Sequence, residues 1–153
     1  MFGGCSDKID LNLSNFNSDN IKNMSYLFNG CRSLENINLS NINTQNVTDM
    51  SNMFKGCSSL TNLDLSFFNT QNVIYMNDMF KDCSSLSNLE LSNFNFQKVS
   101  NMSNMFNGCS SLTNLNLSSF NSQNAIDMAN IFKGCNLEKE NIICEDEELL
   151  NQI

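Results

Sequence analysis

Cysteine carries the most versatile chemistry in this sequence, and its spacing is regular. Six cysteines recur with a constant 26-residue spacing, at Cys5, Cys31, Cys57, Cys83, Cys109 and Cys135, and Cys144 lies outside the series. Such thiols could bind a soft metal or form disulfides, but there is no histidine or short Cys-x-x-Cys pair to build a zinc site. Equivalent residues of stacked strands lie about 4.8 Å apart, whereas the Cβ atoms of a disulfide lie about 3.8 Å apart. The series therefore predicts buried, free thiols, with no metal and no cofactor.

Paired carboxylates are the second candidate for chemistry. Asp64 and Glu90 are separated by the same interval as the cysteines, and such a pair could perform acid–base catalysis. However, a chain without histidine has no imidazole base and no Ser-His or Cys-His nucleophile, and an exposed strand face is wet. The sequence therefore predicts that the protein is not an enzyme.

The overall charge excludes further classes. The chain has 153 residues, 8 Lys and Arg, 16 Asp and Glu, and a formal net charge of −8. Phosphate binding needs clustered cations, so a nucleic-acid partner is not expected. There is also no apolar run of the length that a bilayer requires. We therefore expect no membrane span.

The whole sequence follows the 26-residue period. Counting each repeat from its cysteine as position zero, leucine or isoleucine recurs at positions six and eight, and phenylalanine recurs at position 23. The period predicts a repeat domain over residues 1–134, with coils that start at Cys5, Cys31, Cys57, Cys83 and Cys109. Residues 135–153 are predicted to form a capping strand and an acidic helix. Met1 to Gly4 align with the last four positions of a repeat, which favours a truncated array over a naturally incomplete first coil.

Two hydrophobic patterns alternate within each repeat. Leu63 and Leu65 alternate with polar residues as in a strand, whereas Val47, Met50 and Met53 follow helical spacing. We therefore expect each coil to contain a strand, a turn and about two helical turns. In the stack, Phe54, Phe80 and Phe106 should form a continuous internal column. Ladders that contain Asn69 and Ser66 should satisfy backbone groups in the turns.

The segment Met50 to Met76 resembles the 26-residue repeat of BspA-like leucine-rich-repeat surface proteins, which occur in bacteria and some parasitic protists. The resemblance implies a surface or secreted solenoid used for adhesion or protein binding. The repeat of this sequence departs from ordinary leucine-rich repeats, because Phe68 occupies the position of the usual turn asparagine and Asn69 follows it. Combined with the patterns above, the resemblance gives an α/β solenoid: a right-handed stack of five coils, with a parallel sheet on one side and short helices on the other.

The outward strand face is the main binding hypothesis. Positions five and seven of successive repeats form a polar strip of Asn36, Asn38, Asn62, Asp64, Asn88, Glu90, Asn114 and Asn116. The alternative is a merely solvated face. Phe67 and Phe96 replace polar residues in the turn after the strand, where they could form an apolar interaction patch or pack locally.

Two functions follow from these patterns. The first is a non-enzymatic interaction or adhesion module that binds a protein, such as a host or extracellular-matrix protein, through the strand face. The alternative is a structural rod that self-associates through its open N-terminal edge. The cell surface or the extracellular space is the expected location by resemblance, and the cytoplasm remains an alternative because no leader is recognised in the sequence.

Overall fold

Three short parallel strands form the only regular sheet among the residues that the computed structural model describes, which are 2–4, 11, 13, 15–122 and 127–153. They are β1 (Asn88–Glu90), β2 (Asn114–Asn116) and β3 (Ile142–Ile143), ordered β1-β2-β3. In the first pair Leu89 lies opposite Leu115, its equivalent in the next repeat. In the second pair Leu115 lies opposite Ile142, which is one position beyond a full repeat. Successive repeats are therefore stacked in parallel, and the last step carries one extra residue.

The second half of each repeat stacks as well, but it does not form the predicted helix. Segments 24–30, 50–56, 76–82, 102–108 and 128–134, which we call the turn column, are chains of turns. Alternate N–H groups donate to the next repeat rather than along a helix: Met50 N bonds Tyr75 O at 2.9 Å, and Phe54 N bonds Met79 O at 2.9 Å. The prediction of short helices on this side is therefore wrong.

Left-handed residues explain why the helix does not form. Position 21 has φ between 56° and 59° in every repeat, and it is occupied by Tyr26, Asn52, Asp78, Asn104 and Asn130. Position 25 is also left-handed, and Asp82 takes the place that glycine holds in the other repeats. A helix needs negative φ throughout, whereas positive φ at the third residue of a turn is typical of tight turns. The apolar side chains of the turn column then face inward from successive turns instead of from one face of a helix.

A continuous column of phenylalanines fills the core of the stack. Phe28, Phe54, Phe80 and Phe106 are completely buried. Ring centroids in the column, which extends from Phe2 to Phe132, are 5.4–5.9 Å apart, with interplanar angles of at most 14°. The predicted column through Phe54, Phe80 and Phe106 is confirmed, and with it the stacking of residues 26 apart.

Asparagine and aspartate recur because their side chains close the turns. At three positions of the repeat a side-chain oxygen accepts the N–H group two residues on: Asp64 from Ser66 at 2.9 Å, Asn69 from Gln71 at 3.1 Å, and Asp49 from Ser51 at 2.9 Å. These are Asx turns. The role predicted for Asn69 is confirmed. The described residues show no hydrogen bond from the Ser66 hydroxyl to a backbone group; this hydroxyl instead lowers the pKa of the Asp64 carboxyl.

The C-terminal residues pack on the strand side of the last repeat. Helix α1 (Glu147–Leu150) is capped by Asp146, whose Oδ1 accepts from Leu149 N at 2.9 Å. Its Oδ2 accepts from Ser122 N at 2.7 Å, which joins the cap to the preceding turn, and Leu149 is fully buried. A single 3₁₀ turn, Lys139–Asn141, precedes β3. The division at residue 134 into a repeat domain and a cap stays a prediction.

Candidate interaction surface

A shallow groove of about 700 Å³ runs across the strand face. Six of the eight residues predicted for this strip line it: Asn62, Asp64, Asn88, Glu90, Asn114 and Asn116. The pleat places them there, because the middle residue of each strand is buried and its two neighbours face outward. Asn36 and Asn38 are not buried, but they do not line the groove.

Side-chain hydrogen bonds tie the rows of the groove together from one repeat to the next. Asn114 Nδ2 donates to Asn88 Oδ1 at 2.8 Å, and Asn62 Nδ2 donates to Asn36 Oδ1 at 3.4 Å. At position seven, Asn116 Nδ2 donates to Glu90 Oε2 at 3.0 Å. Since these bonds restrict the side chains, the polar surface is ordered before any partner arrives.

The two central carboxylates are ionised and held by their own turns. The hydroxyl and backbone N–H of Ser66 hydrogen-bond Asp64 and lower the pKa of that carboxyl below its usual value. The hydroxyl of Ser92 has the same effect on the pKa of Glu90, although partial burial opposes it. Hydrogen bonds to a carboxylate favour its charged form. Both groups therefore present negative charge at neutral pH.

Half of the lining residues of the groove were not predicted from the sequence: Leu63, Leu89 and Leu115 of the strands form part of it, and the cap supplies three more. Glu140, Asn141 and Ile143 line one end, and Ile143 is 61% exposed. The capping strand predicted within residues 135–153 was a usable signal, but one extra residue before β3 shifts it from the 26-residue register. The groove therefore contains three carboxylates and an apolar end, and no lysine or arginine is among its lining residues.

The two turn aromatics lie in different environments. Phe96 is 2% exposed and packs against Phe94 and Phe120, with ring centroids 6.0 and 5.4 Å away. Its repeat position faces the interior, where the equivalent Thr44 and Thr70 are also buried. The hypothesis that Phe96 binds a partner is therefore wrong, and the alternative of local packing holds for it.

Phe67 differs from Phe96 because it is 62% exposed. In the next repeat the equivalent Asn93 donates from Nδ2 to three carbonyl oxygens, those of Leu65, Ser66 and Phe68, at 3.1–3.3 Å. A phenylalanine cannot make such bonds. Phe67 is thus a solitary exposed ring rather than half of an apolar patch.

The cysteines line the core, as predicted, and their thiols are free. Cys57, Cys83 and Cys109 are fully buried, and each Sγ donates to the carbonyl of a phenylalanine of an earlier repeat at 3.0–3.2 Å. Burial raises the pKa of Cys57 and of Cys109 to about 12. Cys5 lies outside the described residues. Within the described part of the chain, no cluster of three potential metal ligands occurs.

Comparison with known proteins gives a family but no activity. A family model described as "Mycoplasma protein of unknown function, DUF285" matches residues 1–111 and 35–144. The chain belongs to this family. The two overlapping DUF285 matches cover the stacked repeats. No curated protein matches the chain.

One solved structure is similar to part of the chain, the crystal structure of a T. pallidum leucine-rich repeat protein (TpLRR). The identity is 20% and the TM-score 0.43. The match covers 69% of this chain and 44% of that protein, so the chain spans less than half the length of the protein it matches. Within the described ranges, no helix has the length and apolar character needed to cross a membrane.

Proposed function

We propose that this chain is a non-enzymatic interaction module of a surface or secreted repeat protein, built as a right-handed stack of five coils in the manner of BspA-like proteins. It binds a protein partner, such as a host or extracellular-matrix protein, through the strand face. The observation that supports this function is the groove on the only regular sheet of the described residues, where hydrogen-bonded asparagines and carboxylates stand beside apolar side chains. Repeat stacks commonly bind partners on such extended surfaces.

The charges of the groove favour a cationic partner segment. Asp64, Glu90 and Glu140 contribute carboxylates, no cation lines the groove, and the chain as a whole carries −8. Opposite charges across an interface speed association and exclude partners of like charge. The bound segment therefore carries lysine or arginine side chains.

The spacing of the rows defines the segment further. Neighbouring strands lie about 4.8 Å apart, and an extended chain advances about 3.3 Å per residue. From Asp64 to the row of Ile143 is three strand steps, or about 14 Å, which an extended peptide covers in about four residues. A segment with basic residues near one end and an apolar residue about four positions away matches both ends of the groove.

The same carboxylates are poorly suited to catalysis. Each accepts hydrogen bonds from a serine two residues on, so its protonation would weaken a turn of the fold. The bonds lower the pKa of both groups and do not bring either pKa near neutrality, where a general acid or base works best. The arrangement supports electrostatic recognition rather than proton transfer.

The test uses synthetic extended peptides and fluorescence anisotropy. One peptide carries lysines near one end and leucine about four residues away. A second peptide has the same sequence with each lysine replaced by glutamate. The native chain should bind only the lysine peptide. The Asp64→Asn and Glu90→Gln changes should each weaken binding about two- to fivefold, as expected for exposed ion pairs, and added salt should weaken it further.

Asp49→Asn is the matched control. Asp49 closes an Asx turn as Asp64 does, but it lies beside the turn column, and asparagine stands at its position in other repeats. The control should bind the lysine peptide like the native chain. Equal loss of binding in Asp49→Asn and Asp64→Asn, or equal binding of the two peptides, would contradict the proposed surface.

A further inference from the structure

Three backbone carbonyl oxygens converge on one nitrogen atom in the turn after a strand. Asn93 Nδ2 donates to the carbonyls of Leu65, Ser66 and Phe68 of the preceding repeat at 3.1–3.3 Å. In the following repeat Ser119 stands at the same position, and its hydroxyl donates to a carbonyl of the repeat before it at 3.3 Å. A polar residue at position ten therefore supplies a donor to carbonyls of the preceding repeat.

Phe67 takes position ten in its repeat and has no side-chain donor. Asparagine or serine holds this position in the other four repeats. The carbonyls that precede Phe67 by one repeat belong to Leu39, Ser40 and Ile42. No described residue donates to the carbonyl of Ser40 or Ile42, and that of Leu39 accepts only from the N–H group of Ile42. These oxygens are thus open to a donor from another molecule.

The two turns have the same hydrogen bonds, so their carbonyls have the same arrangement. In both, the N–H group at position eleven donates to the carbonyl at position eight, at 2.9 Å and 3.0 Å. In both, the N–H group at position nine donates to the side chain at position seven, at 3.0 Å and 2.9 Å. The carbonyls of Leu39, Ser40 and Ile42, which we call the carbonyl cradle, therefore converge as those around Asn93 Nδ2 do.

The surroundings of the carbonyl cradle favour a cation. Carbonyl oxygens carry partial negative charge, and the ring of Phe67, which is 62% exposed, offers an aromatic face to a positive group. The ionised carboxylate of Asp64 lies three residues before Phe67 in the same repeat. Three independent features thus attract positive charge to this turn.

The geometry of the cradle distinguishes between the two basic side chains. A lysine ammonium carries three N–H donors on one nitrogen, so it can serve three oxygens that converge on one point. The donors of an arginine guanidinium lie in a planar fork and diverge, which suits paired acceptors such as a carboxylate. The cradle therefore matches lysine better than arginine.

We propose that the carbonyl cradle and Phe67 bind a lysine side chain of the partner and select lysine over arginine at that point. This inference rests on the proposed function, since the lysine belongs to the cationic segment that lies along the strand face. The lysine nitrogen takes the place that Asn93 Nδ2 takes in the next repeat, and its alkyl chain passes the ring of Phe67.

The position of the cradle fixes the place of the lysine in the segment. The cradle belongs to the repeat before that of Asp64, so it lies four strand steps from the row of Ile143, or about 19 Å. An extended peptide covers this distance in about six residues, against about four for the residue that meets Asp64. Because side chains two residues apart share a face, both basic residues and the apolar one face the groove.

Two peptides that differ at one residue test the selection. Both carry a leucine and, about four residues away, an arginine that meets Asp64; about six residues from the leucine, one carries lysine and the other arginine. In fluorescence anisotropy the native chain should bind the lysine peptide about tenfold more tightly, the effect of one hydrogen bond to a charged group.

Phe67→Asn is the decisive variant, because it places the donor of Asn93 in the cradle and removes the ring. It should bind the lysine peptide about tenfold more weakly and bind the two peptides equally. Its urea midpoint should equal or exceed that of the native chain, since asparagine adds hydrogen bonds to the turn. Phe67→Leu, which keeps the cradle and loses only the ring, should weaken binding about two- to fivefold and keep the preference for lysine.

Tyr75→Asn is the matched control. It also replaces an exposed aromatic ring by the asparagine of the next repeat, Asn101, but this position lies beside the turn column. The control should keep the native affinity for both peptides and the preference for lysine.

Failure of this inference and failure of the proposed function give different results. A native chain that binds neither peptide, or that binds equally well a peptide with glutamate at both basic positions, refutes the proposed function and the inference with it. A native chain that binds the lysine and arginine peptides equally refutes the lysine cradle alone. So does a Phe67→Asn variant that retains the preference for lysine.

Discussion

Replacing one ring in the middle of the phenylalanine column tests the stacking on which the fold depends. Phe80 is fully buried between Phe54 and Phe106, with ring centroids 5.8 and 5.9 Å away. Phe80→Leu keeps most of the buried apolar volume but removes both ring–ring contacts. Each contact contributes about 0.5–1.5 kcal/mol beyond area burial, so the free energy of unfolding should fall by about 1–3 kcal/mol. Phe80→Ala also opens a cavity and should cost about 3–5 kcal/mol.

Phe67→Leu is the matched control, since it makes the same chemical change at a ring that is 62% exposed. Its effect should stay within about 0.5 kcal/mol. Urea unfolding followed by circular dichroism gives both values, and an unchanged slope with denaturant shows that the unfolded states are comparable. If Phe67→Leu cost as much as Phe80→Leu, the column would not be the source of stability and the stacking argument would fail.

Three further predictions concern backbone strain, thiols and the cap. Tyr26→Asn should raise the free energy of unfolding by about 1 kcal/mol in urea titrations, because tyrosine tolerates φ 59° less well than asparagine; a lower midpoint would contradict it. The buried thiols of Cys57 and Cys109 should stabilise the fold by a constant amount at every pH below the usual thiol pKa. Between that pKa and a pH of about 12 the free energy of unfolding should fall, because these thiols ionise in the unfolded chain before they ionise in the folded one. The fall should be at most about 1.4 kcal/mol per pH unit for each thiol. Cys57→Ala should reduce that slope, and an unchanged slope would show that this thiol is not involved. Asp146→Ala should cost about 1–2 kcal/mol at neutral pH in thermal or urea unfolding. Burial opposes ionisation of Asp146, but hydrogen bonds from Ser122 and Leu149 outweigh it and lower the pKa, so the difference should disappear only as pH falls below the usual aspartate range.

The contacts between repeats were predictable because they depend only on the 26-residue period of the sequence. Once residues 26 apart lie over each other, the phenylalanine column and the buried row that includes Cys83 follow, whatever the local backbone does. The local backbone was not predictable from hydrophobic spacing. Met50, Met53 and Phe54 face inward both in a helix and in a chain of turns. Asn52 was the available signal, because asparagine or aspartate at four of the five equivalent positions favours positive φ, which a helix excludes.

The candidate site was also predictable only in part. Alternation along the strand correctly placed Asp64 and Glu90 on one outward face. The environment of Phe96 in the turn was not predictable, since nothing in a single aromatic substitution shows that its position faces inward. The burial of Thr44 and Thr70 at the equivalent positions is seen only in the structure. The alternation also missed Ile143, because the extra residue before β3 breaks the period.

Position seven shows how such a stack can change its recognition surface without changing its fold. The turn after the strand needs only an oxygen acceptor two residues before its N–H group. Asn38, Asp64, Glu90 and Asn116 all supply one, at 2.9–3.0 Å. Because amide and carboxylate serve the turn equally well in geometry, the charge of this row is free to vary between repeats. The row of position seven therefore has a fixed structural role and a variable electrostatic one, and under the proposed function the sequence of charges along it would select the cationic segments that bind.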